Sequence, residues 1–220
     1  MKSLSSLLIA SAVIATASAA SADVIAGWSI PTAVTATTAA TYSYGAANLG
    51  ALVSGSMLSG THSSASTAWS SPAGNGSTYA LSSNGWNVGD YYQISLATTG
   101  YSAVSVAWDQ TRSGSGPAGF EAVLSVDGGS TFSSLGSYTV NAVTWSASAP
   151  VTTSSFGSVA SAADNQASVI IRFKVVTAGT STTTGTNRID NIVVSGTAIP
   201  APGAIALLGV AGLVGARRRR

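Results

Sequence analysis

Very few residues of this chain could carry chemistry. It has one histidine, His62, one glutamate, Glu121, and no cysteine. Without thiolates there is no disulfide framework and no Cys nucleophile, and one His cannot build a zinc site. A Ser-His-Asp triad needs its imidazole buried and oriented. His62 stands in a Ser/Thr/Gly-rich stretch that predicts an open loop, and no G-x-S-x-G elbow occurs in the chain. Glycoside hydrolysis needs two carboxyl groups facing each other across a bond. Asp109 could partner Glu121 from another strand, but polar residues on the outer side of a strand are ordinarily just solvated. These residues point away from an enzyme.

Two kinds of binding chemistry remain. Hard oxygen ligands for a structural calcium could come from Asp190 and Glu121, with Asn191, Asp109 and backbone carbonyls beside them. Alternatively, Asp190 pairs with Arg188 or Arg172, or caps a turn. Sugars would need aromatic platforms, and Trp69, Trp86, Tyr91, Tyr92, Trp108 and Trp145 are the candidates. Trp108 shares an apolar face with Val104 and Val106 and so belongs to a core. Trp86, in the turn Asn84-Gly85-Trp86-Asn87, is expected to be exposed and is the ligand candidate.

Composition sets the frame for these residues. Only 7% of the 220 residues are charged, against about 25% in an ordinary soluble domain. Between residues 23 and 199 the basic residues are Arg112, Arg172, Lys174 and Arg188. The acidic ones are Asp23, Asp90, Asp109, Glu121, Asp127, Asp164 and Asp190, which gives this stretch a net charge of −3. No basic stripe exists for phosphates, so a nucleic-acid partner is not expected.

The elements that must position these residues are strands. Val24 to Trp28, Tyr91 to Leu96, Tyr101 to Gln110, Phe120 to Val126 and Ile189 to Val194 read as strands, most of them with alternating apolar residues. Val169, Ile171, Phe173 and Val175 give the clearest buried face. Residues 31–47 are ambiguous, and 59–78 read as loop. Turn signals at Asn84-Gly85, Thr99-Gly100, Gly114 to Pro117, Asp127-Gly128-Gly129 and Gly179 to Gly185 separate the runs. Short strands at this spacing predict an all-β fold, an antiparallel β-sandwich, with a jelly roll preferred for its long irregular connections.

Both ends of the chain read as sorting signals. Met1-Lys2, an apolar run and Ala20-Ser21-Ala22 predict a secretory signal peptide over 1–22, cleaved after Ala22 with Ala20 at the −3 position. The β-sandwich domain follows over 23–198, and a tail occupies 199–220. In that tail Ala204 to Ala216 carries no charge, and Arg217, Arg218, Arg219 and Arg220 end it. Thirteen residues span only about 20 Å as a helix, short of the roughly 30 Å hydrocarbon core. A weak transmembrane anchor is expected, with the arginines held inside.

Three local resemblances follow from these residues. Pro200-Ala201-Pro202-Gly203, the short apolar helix and the Arg cluster resemble the PEP-CTERM sorting tail of bacterial exported proteins. Ala201 stands where that motif carries an acidic residue. The resemblance implies membrane retention, cleavage by an exosortase-like membrane peptidase, and association with the cell surface and extracellular polysaccharide. The ending Arg188-Ile189-Asp190-Asn191-Ile192 resembles the last strand of jelly-roll modules on bacterial surface proteins and sugar-active enzymes. Many of those bind carbohydrate, and some hold calcium through the Asp matched here by Asp190. Ser125-Val126-Asp127-Gly128-Gly129-Ser130-Thr131-Phe132 resembles an Asp-box. Sialidase propellers carry several copies, so a single one implies a hairpin staple. Together these readings favour a noncatalytic exported cell-surface or extracellular-matrix protein. A carbohydrate-binding module is the alternative, and a glycan-active hydrolase is a remote third.

Overall fold

Alternation of apolar and polar residues puts one face of each strand against a partner sheet, and two sheets result. The computed structural model describes residues 22–200. The signal segment up to residue 21, including Ala20, lies outside the described residues, as does the tail from Ala201 with its four arginines. Among the described residues no helix is long and apolar enough to cross a membrane.

The strands are β1 (Asp23–Trp28), β2 (Thr37–Thr38), β3 (Thr41–Gly45), β4 (Met57–Thr61), β5 (Ala68–Ser70), β6 (Leu81–Ser83) and β7 (Tyr91–Leu96). They continue as β8 (Tyr101–Arg112), β9 (Gly119–Ser125), β10 (Ser133–Thr139), β11 (Ser155–Val159), β12 (Val169–Thr177) and β13 (Asn187–Ala198). One sheet has seven strands in the order β11-β8-β13-β6-β5-β2, with β1 also paired to β13. The other has six in the order β10-β9-β12-β7-β4-β3. Every pairing is antiparallel. The expected sandwich is present.

The strands expected from alternation are present. Val104, Val106 and Trp108 of β8 face the core, as do Val169, Ile171, Phe173 and Val175 of β12. Burial of each such side chain contributes about 1.5–3 kcal/mol before entropy is counted. Val126 is the exception in its run. It lies beyond the end of β9 and is exposed, because the hairpin turn has already begun.

Residues 59–78 are not simply loop. They contain the end of β4 and all of β5, whose central Trp69 is fully buried. Its indole N–H donates to the Ala39 carbonyl at 2.9 Å, which satisfies the polar atom that burial would otherwise strand. Gly60 makes room for that ring, since a Cβ there would collide with the Trp69 six-membered ring.

The Asp127 turn is the hairpin staple that its sequence implies, joining β9 to β10. One carboxylate oxygen accepts the N–H groups of Ser130 and Thr131, both at 3.0 Å, and the other accepts the Thr131 hydroxyl at 2.6 Å. Gly128 and Gly129 adopt φ of 73° and 91°, a region that costs a side chain but not glycine. The Ser125 and Thr131 hydroxyls are the main reason the Asp127 carboxyl sits well below the usual carboxylate range.

Candidate functional site

The tryptophans do not form a surface platform. Trp86 is fully buried, contrary to the expectation from its turn. Gly85 at φ 73° turns the chain inward. The indole N–H then donates to Ser83 O at 2.9 Å, and the ring packs against His62, Tyr92 and Phe120. Trp28, Trp69, Trp108 and Trp145 are buried as well.

His62 is buried too, 4% exposed, and not in an open loop. Its ring lies 5.0 Å from Trp69 and 4.1 Å from Trp86, centroid to centroid. Nε2 is 3.1 Å from the Ser83 hydroxyl, and Nδ1 is 3.3 Å from an Asp90 carboxylate oxygen. The apolar setting that the sequence of this segment lacks comes from Trp69, at the other end of the same polar stretch, and from Trp86 further along the chain. Burial pushes the Asp90 carboxyl up, but hydrogen bonds from His62 and from the N–H groups of Asn87 and Ser63 outweigh it and hold it below the usual range. Serine, imidazole and carboxylate thus meet as in a nucleophilic triad. Ser83 is 1% exposed, so a substrate carbonyl would have to enter the aromatic core to reach it. This arrangement can satisfy buried polar groups and fix strands β6 and β7 to the loop before β5.

Asp190 and Glu121 do not come together. Glu121 is on β9 of the six-stranded sheet, 3.2 Å from Lys174. Asp190 is on β13 of the seven-stranded sheet, directly across from Asp109 on β8. Neither arginine considered for Asp190 reaches it. Instead it caps the turn at 74–77, where one oxygen accepts the Asn75 N–H at 2.9 Å and the Ser77 hydroxyl. Asp109 accepts the Asn75 and Asn191 amides at 2.9 and 2.8 Å, and the Ser155 hydroxyl.

Calcium fits this arrangement poorly. Oδ1 of Asp190 is a buried oxygen without a hydrogen-bond partner among the described residues, but the neighbouring oxygens face N–H and O–H donors, whose positive ends would repel a cation. No group of three or more acidic, His or Cys side chains suited to a metal occurs among the described residues. Burial foremost, with the Asp109 charge adding to it, pushes the Asp190 carboxyl up to about 6.

An open cleft lies beside β3, the edge strand of the six-stranded sheet. It measures about 320 Å³ and is lined by Pro31, Thr32, Thr35, Tyr42, Tyr44 and Asn48, among others. Tyr42 and Tyr44 are two apart on a strand and so share a face. Both are half-buried and pack against the core margin. The Tyr42 ring stacks on Trp69, with centroids 5.4 Å apart and planes at 26°. The Tyr44 hydroxyl lies 3.3 Å from both the N–H and the carbonyl of Thr32, which ties the segment at 31–35 to the strand. No charged residue lines the cleft. Rings held rigid from behind, with hydroxyls and an amide at the margin, suit a neutral polyhydroxylated ligand. The sequence signal was the Tyr-Ser-Tyr spacing inside a Thr/Ala-rich stretch otherwise too weak to read.

The other surface with planar polar groups is the outer face of the six-stranded sheet. There Arg172 lies between the Tyr91 and Phe132 rings, 4.2 and 4.1 Å from their centroids, and donates to Gln93 at 2.8 Å. These groups are occupied with one another.

No family model matches the chain, and no curated protein does. Several solved structures show partial likeness. The CBM22-1 xylan-binding domain of Paenibacillus barcinonensis Xyn10C gives a TM-score of 0.45 at 13% identity, covering 84% of this chain and 100% of that one. The K1 cleaved adhesin domain of Lys-gingipain from Porphyromonas gingivalis W83 gives 0.41 at 10% identity, covering 76% and 95%. A CBM29-2 mutant complexed with mannohexaose gives 0.35 at 9%, covering 81% and 93%. At these values none of them assigns this chain.

Proposed function

We propose that this chain is a noncatalytic exported protein whose β-sandwich binds a neutral glycan in the Tyr42–Tyr44 cleft. The observation that carries the reading is an uncharged, open cleft with two adjacent tyrosines, one of them backed by a fully buried tryptophan. A ring supported in this way loses little freedom when a sugar stacks on it, so the contact retains more of its interaction energy. The crossing of the chain between sheets fits a jelly-roll type of sandwich. Export rests on the signal-like start and the PEP-CTERM-like end, which would place the domain at the cell surface, held by its tail until an exosortase-like peptidase acts, where extracellular polysaccharide is at hand.

Binding to a panel of soluble and insoluble polysaccharides tests the reading. Retention on at least one neutral polymer, weakened about five- to tenfold in Tyr44→Ala, is expected. Retention on none would leave the domain a structural unit of the surface without a glycan ligand.

A further inference from the structure

Four cationic side chains occur among the described residues, and they are used in two different ways. Lys174 is paired with Glu121, and Arg172 is enclosed by two rings and Gln93. The other two, Arg112 and Arg188, line one cleft of about 230 Å³ beside the seven-stranded sheet, with no acidic residue in its lining.

Arg112 is a clamp as well as a charge. Its Nε donates to Val140 O at 2.9 Å, and Nη1 reaches the carbonyls of Ser113, Gly114 and Gly116. Nη2 is left without a hydrogen bond among the described residues. Arg188 is half-buried on β13, beside Thr111 of β8 and Ser82 of β6. Its guanidinium has no hydrogen-bond acceptor and no carboxylate within 4.0 Å among the described residues, where the ion pairs are those of His62 and Lys174. The carboxylates on the same strands, Asp190 and Asp109, are committed to Ser77, Asn75, Asn191 and Ser155. Partial burial of an uncompensated guanidinium is costly, and burial holds Arg188 below the usual arginine range. An anion that enters the cleft removes that cost. The planar fork of Arg matches a carboxylate with two parallel N–H···O bonds. Thr111 cannot compete for it, because its hydroxyl is already engaged with Val143 and Asn141.

We propose that this cleft binds the carboxylate of an acidic sugar, with Arg188 as the fork and Arg112 as the second charge. The site is separate from the tyrosine cleft and goes beyond the neutral-glycan reading. Its ligand is either a single uronate or a residue within a polyuronate chain.

Calorimetric titration of the purified protein with galacturonate, trigalacturonate and methyl-esterified trigalacturonate tests it. Esterification removes the charge and keeps the shape. The acidic trimer is expected to bind at least tenfold tighter than the ester, with affinity falling as salt rises. Arg188→Gln should remove that preference, and Arg188→Lys, which keeps the charge without the fork, should retain part of it. Equal affinity for monomer and trimer identifies a single uronate as the ligand, and a tighter trimer identifies the polymer. Both support the site. Equal binding of acid and ester, no binding of either acid, or an unchanged preference in folded Arg188→Gln overturns it, whatever happens at the tyrosine cleft.

Discussion

The tyrosine cleft and the arginine cleft differ chiefly in what lies beneath them. Behind Tyr42 is Trp69, stacked on it, and behind that a cluster of His62, Trp86 and Tyr92 rings in edge-on and tilted contact. Behind Arg188 are strands β13, β8 and β6, where Asp109 and one Asp190 oxygen are bonded to the turn at Asn75 and Ser77. Among the described residues, the first cleft presents rigid rings and no charge, and the second presents charge without a counterion. In a chain with 7% charged residues, two cations in one cleft with no counterion among the described residues stand out, whereas two tyrosines at a sheet edge do not. Ring supports and charge deficits are separate routes to a binding surface within one sandwich.

The largest effect expected is from removing the support of the first cleft. Trp69→Ala should cost about 3–5 kcal/mol in urea unfolding, the usual range for a buried tryptophan. In the fraction that stays folded it should abolish neutral-sugar binding and leave uronate binding intact. Loss of both together would show that the two clefts are not independent.

The next concerns the buried carboxyl two residues from Arg188. The folded pKa of Asp190, about 6, lies above its ordinary value of 3.8. The folded state therefore holds a proton that the unfolded state has already lost. That contribution is complete below about pH 4 and disappears as pH rises through 6, with a total of roughly 3 kcal/mol. Asp190→Asn should flatten the stability profile over this window in denaturation measured at a series of pH values. A profile that keeps its slope would remove Asp190 as the source.

Smaller again is the effect of Tyr44→Ala. It should weaken neutral-glycan binding about five- to tenfold, near 1–1.4 kcal/mol, as read by affinity electrophoresis, with no change toward uronates. The smallest belongs to the Lys174–Glu121 pair on the open face of the six-stranded sheet. Glu121→Gln should shift stability by less than about 1 kcal/mol, and added calcium should stabilise mutant and wild type equally little.

How much of this could be read from the sequence depends on where the apolar residues sit. Strands β7, β8, β9 and β12 announce themselves because apolar residues recur every second position, and β13 because of its Ile/Val-rich run from Ile189 to Val194. Strands β10 and β11 are mostly Ser, Gly and Thr, and β5 is three residues around one tryptophan, so their pairing is set by neighbours and not by local pattern. The aromatic core misled for the same reason. His62 and Trp86 sit in polar stretches, and only the folded chain brings residues 62, 69, 86 and 92 together. The Asp127 turn was legible because its bonds are all local. Arg188 lay inside a recognisable final strand, but its lack of a counterion depends on β8 and the segment at 142–144, which the sequence does not place.

The most direct test of the central claim is a chemical-shift map of the isotope-labelled protein titrated with a neutral oligosaccharide that it binds. Perturbations are expected to centre on Thr32, Tyr42, Tyr44 and Asn48, with the resonances of Gln93, Arg172 and Lys174 unmoved. Perturbations centred instead on Gln93, Arg172 and Lys174 would place the sugar on the open sheet face and contradict it.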